Sequence, residues 1–358
     1  MERLVLIMQR KKIKVLVVDD SILFRRVLIE QLSKYEHIEV IGYAVDAFDA
    51  KVKIPKLKPD VVTMDVEMPR LNGIEFIKQL MPFYPVPVVV VSSVNINVFE
   101  ALSAGAVDFV RKPDPAQQKS IQNFITELVA KITIASNAAV HPSYGKSASV
   151  AASKPMIGSP LFPSERLSST VIALGASTGG TEATLAVLKD LPADTPGILV
   201  VQHMPVGFTK MYAERLNRLC QMEVKEAQNG DRVQQGRVLI APGDLHMKIV
   251  KIGTNYTVNC FQAEKVSGHR PSVDVLFQSM AETVKSNGIG IIMTGMGRDG
   301  ASGLLEMRKN GAFTIGQDKD SCVVYGMPMV AYNIGAVTVQ ASLENISGVL
   351  KRHLQKLQ

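Results

Sequence analysis

The sequence predicts a two-domain α/β protein, each domain built on a doubly wound, mostly parallel sheet. Three observations predict it. Short, Val-rich apolar runs bounded by Pro, Gly or Asp alternate with stretches of helical spacing. This alternation occurs twice, on either side of a compositional break. Residues able to do chemistry follow the runs, on the edge where open α/β sheets bind ligands.

The first runs are Ile13–Val18, a short one around Glu39–Tyr43, Val61–Met64, Val86–Val91 and Val107–Val110. Between them, Leu28 and Leu32, then Phe76 and Leu80, stand at i, i+4 spacing. These elements place a first domain at residues 13–132. From about Ala135 to Ser169 the chain is rich in Ala, Ser and Pro, with few large apolar residues. It cannot bury enough surface to order itself, which predicts a flexible linker at 133–168. The alternation resumes with Val171–Leu174, Gly197–Gln202, Arg237–Ala241, Ile289–Thr294, Ala312–Ile315 and Ala336–Val339, a second domain at 169–354. Phe208, Tyr212, Leu216 and Leu219 predict one helix face. His246–Val250 and Tyr256–Phe261 flank a segment with Gly253 and Asn255, which predicts an antiparallel hairpin at the sheet edge.

A length of 358 residues suffices for two buried cores. Formal charge is +7, but the basic residues are spread out, apart from a short run at Arg10, Lys11, Lys12 and Lys14 that reads as a solvated edge. No zinc-finger or RNP stretch accompanies them, so no nucleic-acid partner is expected. Cys220, Cys260 and Cys322 are odd in number and lack CxxC spacing, which argues against a disulfide frame or zinc site. The apolar Leu4–Ile7 precedes basic residues, the reverse of a signal peptide, and no run is long enough to cross a bilayer. A cytoplasmic protein, not integral to a membrane, is expected; Met8 competes with Met1 as its start.

Two constellations carry chemistry. Asp19 and Asp20 end the first run, Asp65 the third, Ser92 the fourth, and Lys112 follows the fifth. Three carboxylates gathered on one edge repel unless a cation sits among them, and hard oxygen ligands suit Mg²⁺. Lys112 and the Ser92 hydroxyl would then hold phosphoryl oxygens. An Asp after a strand is ordinarily a cap or turn residue. The ordered set VVDDS, VTMDVEMPRLNG, VVVVSS, FVRKP is far more specific. In the second half, Ser177 stands in a G-x-S-x-G turn between a strand and a helix, His203 ends the next strand, and Asp299 follows the strand at Ile289–Thr294. A serine needs a base and an orienting acid to attack an acyl group. The chain order Ser, His, Asp differs from that of α/β-hydrolases.

On these residues, 13 to about 131 resemble a response-regulator receiver domain. The resemblance implies a flavodoxin-like fold, phosphorylation of Asp65 by a histidine kinase, and Mg²⁺ held by Asp20, Asp65 and the Glu67 backbone with Asp19 nearby. Ser92 and Lys112 match its switch positions, and Phe109 stands where many receivers have a switch aromatic. Through GASTGG, VVQHMP, VLIAPGDLHM, GHRPSVDVLF, IIMTGMGRDGASG and VVYGMP, the second half resembles the catalytic domain of the chemotaxis protein-glutamate methylesterases, the CheB family. That implies Ser177 as nucleophile, His203 as base, Asp299 as orienting acid, and a Met296 N–H in the oxyanion hole beside Thr178. It also implies glutamate γ-methyl esters and certain glutamines of chemoreceptors as substrate, and no cofactor for the esterase. A receiver tethered to an esterase by a linker long enough to reorient further suggests gating, in which the unphosphorylated receiver covers the Ser177 edge and phosphorylation of Asp65 uncovers it. Rival readings are a non-catalytic regulator, a dinucleotide-binding effector domain using the GASTGG turn, and a methylesterase of another signalling array.

Overall fold

A computed structural model describes residues 11–93, 98–113, 118–140, 167 and 169–357. The reading of Met1 against Met8 and most of the expected linker lie outside these residues. The chain divides into two compact units, Met1–Ala148 and Ser149–Gln358.

The first unit is a five-stranded sheet in the order β2-β1-β3-β4-β5. Its strands are β1 (Ile13–Val18), β2 (Ile38–Ala44), β3 (Val61–Asp65), β4 (Val88–Ser92) and β5 (Asp108–Arg111). All four pairings are parallel. The Val-rich runs are buried along their length, as strands covered on both faces require. β4 begins at Val88, two residues later than the run suggests, because Pro87 has no N–H and only accepts, from the Val62 amide. Helices α1 (Ile22–Leu32), α2 (Ala47–Leu57) and α3 (Gly73–Leu80) start at Ser21, Asp46 and Asn72, whose side chains accept amide protons of the first turn. Leu28, Leu32, Phe76 and Leu80 are all buried, as their spacing predicts. α4 (Val98–Ser103) and α5 (Gln118–Ala135) complete the unit. α5 runs three residues into the segment expected as linker, and buried Ile132 and Ala135 show why it continues.

The second unit carries a seven-stranded sheet in the order β14-β13-β12-β6-β7-β9-β8, again with every pairing parallel. The strands are β6 (Val171–Ala176), β7 (Ile198–Gln202), β8 (Glu223–Glu226), β9 (Arg237–Ile240), β12 (Gly288–Ile292), β13 (Phe313–Gln317) and β14 (Val339–Ala341). Between β9 and β12 lie β10 (His246–Ile252) and β11 (Asn255–Phe261). The helices are α6 (Gly180–Lys189), α7 (Phe208–Leu219), α8 (Val273–Thr283), α9 (Ala301–Lys309), α10 (Met327–Asn333) and α11 (Leu343–Lys356). In α7, Phe208, Tyr212 and Leu216 are buried while Leu219 is partly exposed.

Two expectations are corrected. The hairpin is not at the edge of the main sheet: β10 and β11 form a sheet of their own, joined by a two-residue turn with Gly253 at φ 61°. Its inner side chains, Met247, Ile249, Val258 and Cys260, pack into the core with Phe277 and Met280 of α8. The sheet's edges are instead β14 and β8, the latter a short strand missed because three of its four residues are charged and only Val224 is buried.

Candidate functional sites

In each unit the first strand has later strands on both sides, β2 and β3 about β1, and β7 and β12 about β6. The sheet order reverses there and the loops diverge, leaving a crevice at the strand ends.

In the first unit the crevice lies past β1 and β3. Asp19 and Asp65 are buried and Asp20 is exposed. One carboxylate oxygen from each of the three lies within 4.8 Å of the others. Lys112, carried by the loop after β5, donates to Asp65 Oδ2 at 2.6 Å and to Asp19 Oδ2 at 2.9 Å. Asp65 Oδ1 also accepts the Glu67 amide at 3.3 Å, and Asp19 Oδ1 that of Ser21 at 2.9 Å. Burial pushes the Asp65 carboxyl up to about 6, with Asp19 adding to the rise and Lys112 opposing it. Burial alone would lower the Lys112 ammonium, but its bonds to Asp65 and Asp19 outweigh this and raise it. Such a set of hard oxygens fits a small divalent cation. Gly73 forms the floor: a Cβ there would lie 2.1 Å from the Asp65 carbonyl oxygen. Ser92 is buried at the end of β4, and its carbonyl accepts the Lys112 amide at 2.8 Å. The Phe109 ring is buried, with the Lys131 ammonium 5.0 Å from its centroid.

In the second unit the crevice lies past β6, β7 and β12. Ala176 pairs with Gln202 across β6 and β7, so Ser177 and His203 are the next residues on adjacent strands. The His203 amide donates to Ala176 O at 3.1 Å, and Gln202 Nε2 to Ser177 O at 2.8 Å. On the other side the Ser177 amide donates to Thr294 O at 3.0 Å, just past β12. The turn at Ser177 leads straight into α6, whose cap residue Gly179 has φ 77° and a Cβ position only 2.6 Å from Val323. Only glycine accommodates both.

His203 Nε2 donates to Asp299 Oδ2 at 2.7 Å. Asp299 is 1% exposed and is held by further donors: Ser272 Oγ at 2.7 Å, the Val273 amide at 2.7 Å and the Asp274 amide at 3.1 Å. Burial alone would raise its carboxyl, but His203 and these donors outweigh it and hold the group below its ordinary value. With Nε2–H committed to Asp299, the neutral ring keeps its lone pair on Nδ1. That atom is buried and has no hydrogen-bond partner. The structure therefore closes the His–Asp bond and leaves the Ser177 to His203 bond unmade. Met296 is 42% exposed, beside Gly295, where a Cβ would lie 2.6 Å from Ser177 Cβ. Thr178 is buried, its carbonyl accepting from Thr294 Oγ1 at 3.0 Å.

The stretch that carries this serine turn and His–Asp pair falls within residues 172–350, which match the CheB methylesterase family model. The response regulator receiver domain model matches residues 15–125. The chain belongs to the CheB methylesterase family. It is 53% identical to a protein-glutamate methylesterase/protein-glutamine glutaminase of Syntrophomonas wolfei, over 98% of this chain and 100% of that one. It is 48% identical to a protein of the same name from Sulfurimonas denitrificans, over 93% of this chain and 96% of that one. The crystal structure of the Thermotoga maritima CheB methylesterase catalytic domain is 36% identical, with a TM-score of 0.51, covering 51% of this chain and 98% of that one. The second unit is thus the methylesterase domain of an enzyme, and the first is a receiver.

Sequence reasoning missed the residues around the methylesterase pair. Ser272 bonds Asp299, and the Ser272 amide in turn donates to His246 Nδ1 at 3.2 Å, while His246 Nε2 donates to Glu264 O at 2.9 Å. The His269 ring stacks on His203. The signal for Ser272 and His269 was the stretch GHRPSVD, whose polar residues follow no helix or strand period, while His246 opens the predicted hairpin.

Proposed function

We propose that this enzyme hydrolyses glutamate γ-methyl esters on the cytoplasmic helices of chemoreceptors, and deamidates particular glutamines there, and that phosphorylation of Asp65 raises its activity. The observation that carries the reading is the buried His203–Asp299 pair beside Ser177 at one crevice of a parallel sheet.

In the proposed reaction, Ser177 Oγ attacks the ester carbonyl carbon while His203 Nδ1 takes its proton. Asp299 stays ionised and stabilises the imidazolium that forms. The carbonyl oxygen gathers negative charge, which the Met296 N–H beside Thr178 and the N-terminus of α6 would stabilise. His203 returns the proton to the leaving methoxy oxygen, methanol departs, and an acyl-enzyme remains. Water, deprotonated by the same nitrogen, attacks the acyl carbon; the bond to Ser177 breaks and a glutamate is left. With glutamine the leaving group is ammonia and the acyl-enzyme is the same. These side chains supply every proton transfer, so the esterase step calls for no cofactor.

In the receiver, the Asp65 carboxylate would attack the phosphorus of a kinase phosphohistidine, whose P–N bond breaks. Lys112 and Ser92 would hold the arriving oxygens, and buried Phe109 would respond to the change at Ser92. Mg²⁺, held by Asp19, Asp20, Asp65 and the Glu67 backbone, would supply positive charge against those oxygens. No described helix is long and apolar enough to cross a membrane.

Two experiments test this reading. Ser177→Ala should abolish methanol release from methyl-labelled receptor membranes, a loss of about 10⁶-fold, and leave Asp65 phosphorylation intact; retained turnover would sink the catalytic assignment. A fragment of residues 169–354 should exceed the unphosphorylated full chain in activity. Equal activity, unchanged by a phosphodonor, would overturn the regulatory claim.

A further inference from the structure

The Asp299 bond fixes only part of the His203 ring's orientation. Nε2 lies nearly opposite the ring's attachment point, close to the axis about which the ring turns. A bond at Nε2 therefore tethers the ring's far end and resists rotation weakly, and this last torsion has broad wells in histidine. Nδ1 lies off that axis and swings with the rotation. It is buried and has no partner to hold it.

What faces the ring is His269. The two imidazoles are stacked, with centroids 3.7 Å apart and planes within 9°. A flat neighbour at van der Waals distance blocks the one rotation that Asp299 leaves open. His269 is itself held on both sides. Its amide donates to Val266 O at 2.9 Å and its carbonyl accepts the Val266 amide at 3.1 Å, closing a tight turn over Ser267 (φ 52°) and Gly268 (φ 83°). The next residue, Arg270, bonds Asp244 Oδ1 at 2.6 Å and the Ala263 carbonyl. Ser272, two residues further, bonds Asp299. One short segment thus grips both members of the His203–Asp299 pair.

The neighbour must also be uncharged when His203 takes a proton, since two stacked cations would repel. Burial lowers the His269 ring to about 4; His203 and Lys265 push the same way, and Asp299 opposes them. At neutral pH the ring is therefore neutral.

We propose that His269 is a positioning residue for the esterase reaction: its ring sets the plane of His203 and so the direction of Nδ1 toward Ser177. The proposal rests on the reading of His203 as the base. It is tested on the full chain with methyl-labelled receptor membranes, comparing His269→Ala, His269→Phe and His203→Ala. His269→Ala should lower kcat about 100-fold, the scale of a misaimed catalytic group, with KM unchanged. His269→Phe, flat and uncharged, should restore most of it. Thermal melting and Asp65 phosphorylation show whether each variant is folded. A folded His269→Ala with full kcat overturns the proposal, as does a loss confined to KM, or a Phe variant as slow as the Ala one. His203→Ala separates the two claims: if it retains turnover, the reading of the base falls, whatever His269 does.

Discussion

The two units put their chemistry at equivalent places and treat buried negative charge in opposite ways. Asp65 ends β3 beside β1, and Asp299 follows β12 beside β6, each at a reversal of strand order. Both are almost fully buried. Asp65 receives one side-chain donor, Lys112, and one long amide bond, while Asp19 repels it; its carboxyl is pushed up to about 6. Asp299 receives His203, Ser272 and two amides, and is held below its ordinary value. The fold supplies the crevice, and the donors around it decide whether burial raises or fails to raise the carboxyl there. A lightly held carboxylate can act as a nucleophile. A saturated one can only stay charged and still, which is what orienting a histidine requires.

The largest break in this comparison is to remove each charge in turn. Asp299→Asn should lower kcat about 10⁴-fold, the scale for an orienting acid replaced by an amide, with receiver phosphorylation unchanged. Asp65→Asn should abolish phosphoryl transfer and leave the unstimulated esterase activity intact. Methanol release and phosphoryl incorporation, measured on both variants, check this. If Asp299→Asn costs less than tenfold, the contrast between a saturated and a reactive carboxylate is wrong for the second unit.

The next break acts on the floors of the two crevices. Gly73 lies against the Asp65 carbonyl and Gly295 against Ser177, each closer than any Cβ tolerates. Alanine must push those backbones aside, at about 1–3 kcal/mol of overpacking. Gly295→Ala should slow ester hydrolysis about 100-fold through a displaced nucleophile and spare phosphorylation. Gly73→Ala should slow phosphorylation and spare the esterase. Equal effects of each variant on both activities would show that the glycines serve stability alone.

How much of this was legible in the sequence follows from what sets each position. The strand-end residues were readable because apolar runs fix where strands stop, and the chemistry comes next: Asp19, Asp65, Ser177 and His203 lie at or next to such ends, and Asp299 lies in the loop between β12 and α9. Two runs flanking a turn segment with Gly253 and Asn255 identified the hairpin, but a turn signal does not say what a face packs on, so its burial against α8 was missed. β8 was hidden because an edge strand with one buried residue has almost no apolar signal. Ser272 and His269 were hidden for another reason. They reach the site by tertiary approach: Ser272 meets Asp299 from 27 positions away, through a segment with no periodicity.

The smallest expected effect is the sharpest test of donor saturation. Ser272→Ala removes the hydroxyl bond to Asp299 Oδ1 and leaves the Val273 and Asp274 amides in place. A hydrogen bond to a charged group contributes about 1.5–3 kcal/mol. With the amides still holding the carboxylate, the low end applies, and kcat should fall about tenfold. The pH dependence gives the sign. The Asp299 carboxyl is depressed below its ordinary value of 3.8. Its contribution to stability is therefore fully present above that value and is lost as pH falls through the lower folded one. Removing one donor moves the folded value up toward the ordinary one and shrinks the contribution. The melting temperature of Ser272→Ala should lie below that of the parent chain at pH 7, and the gap should close as the pH is lowered past the point where both carboxyls are protonated. A gap that is the same at every pH would mean that the hydroxyl contributes packing rather than support of a charge. Asp299 would then owe its ionisation to His203 and the two amides alone, and the difference between the two crevices would rest on those three donors.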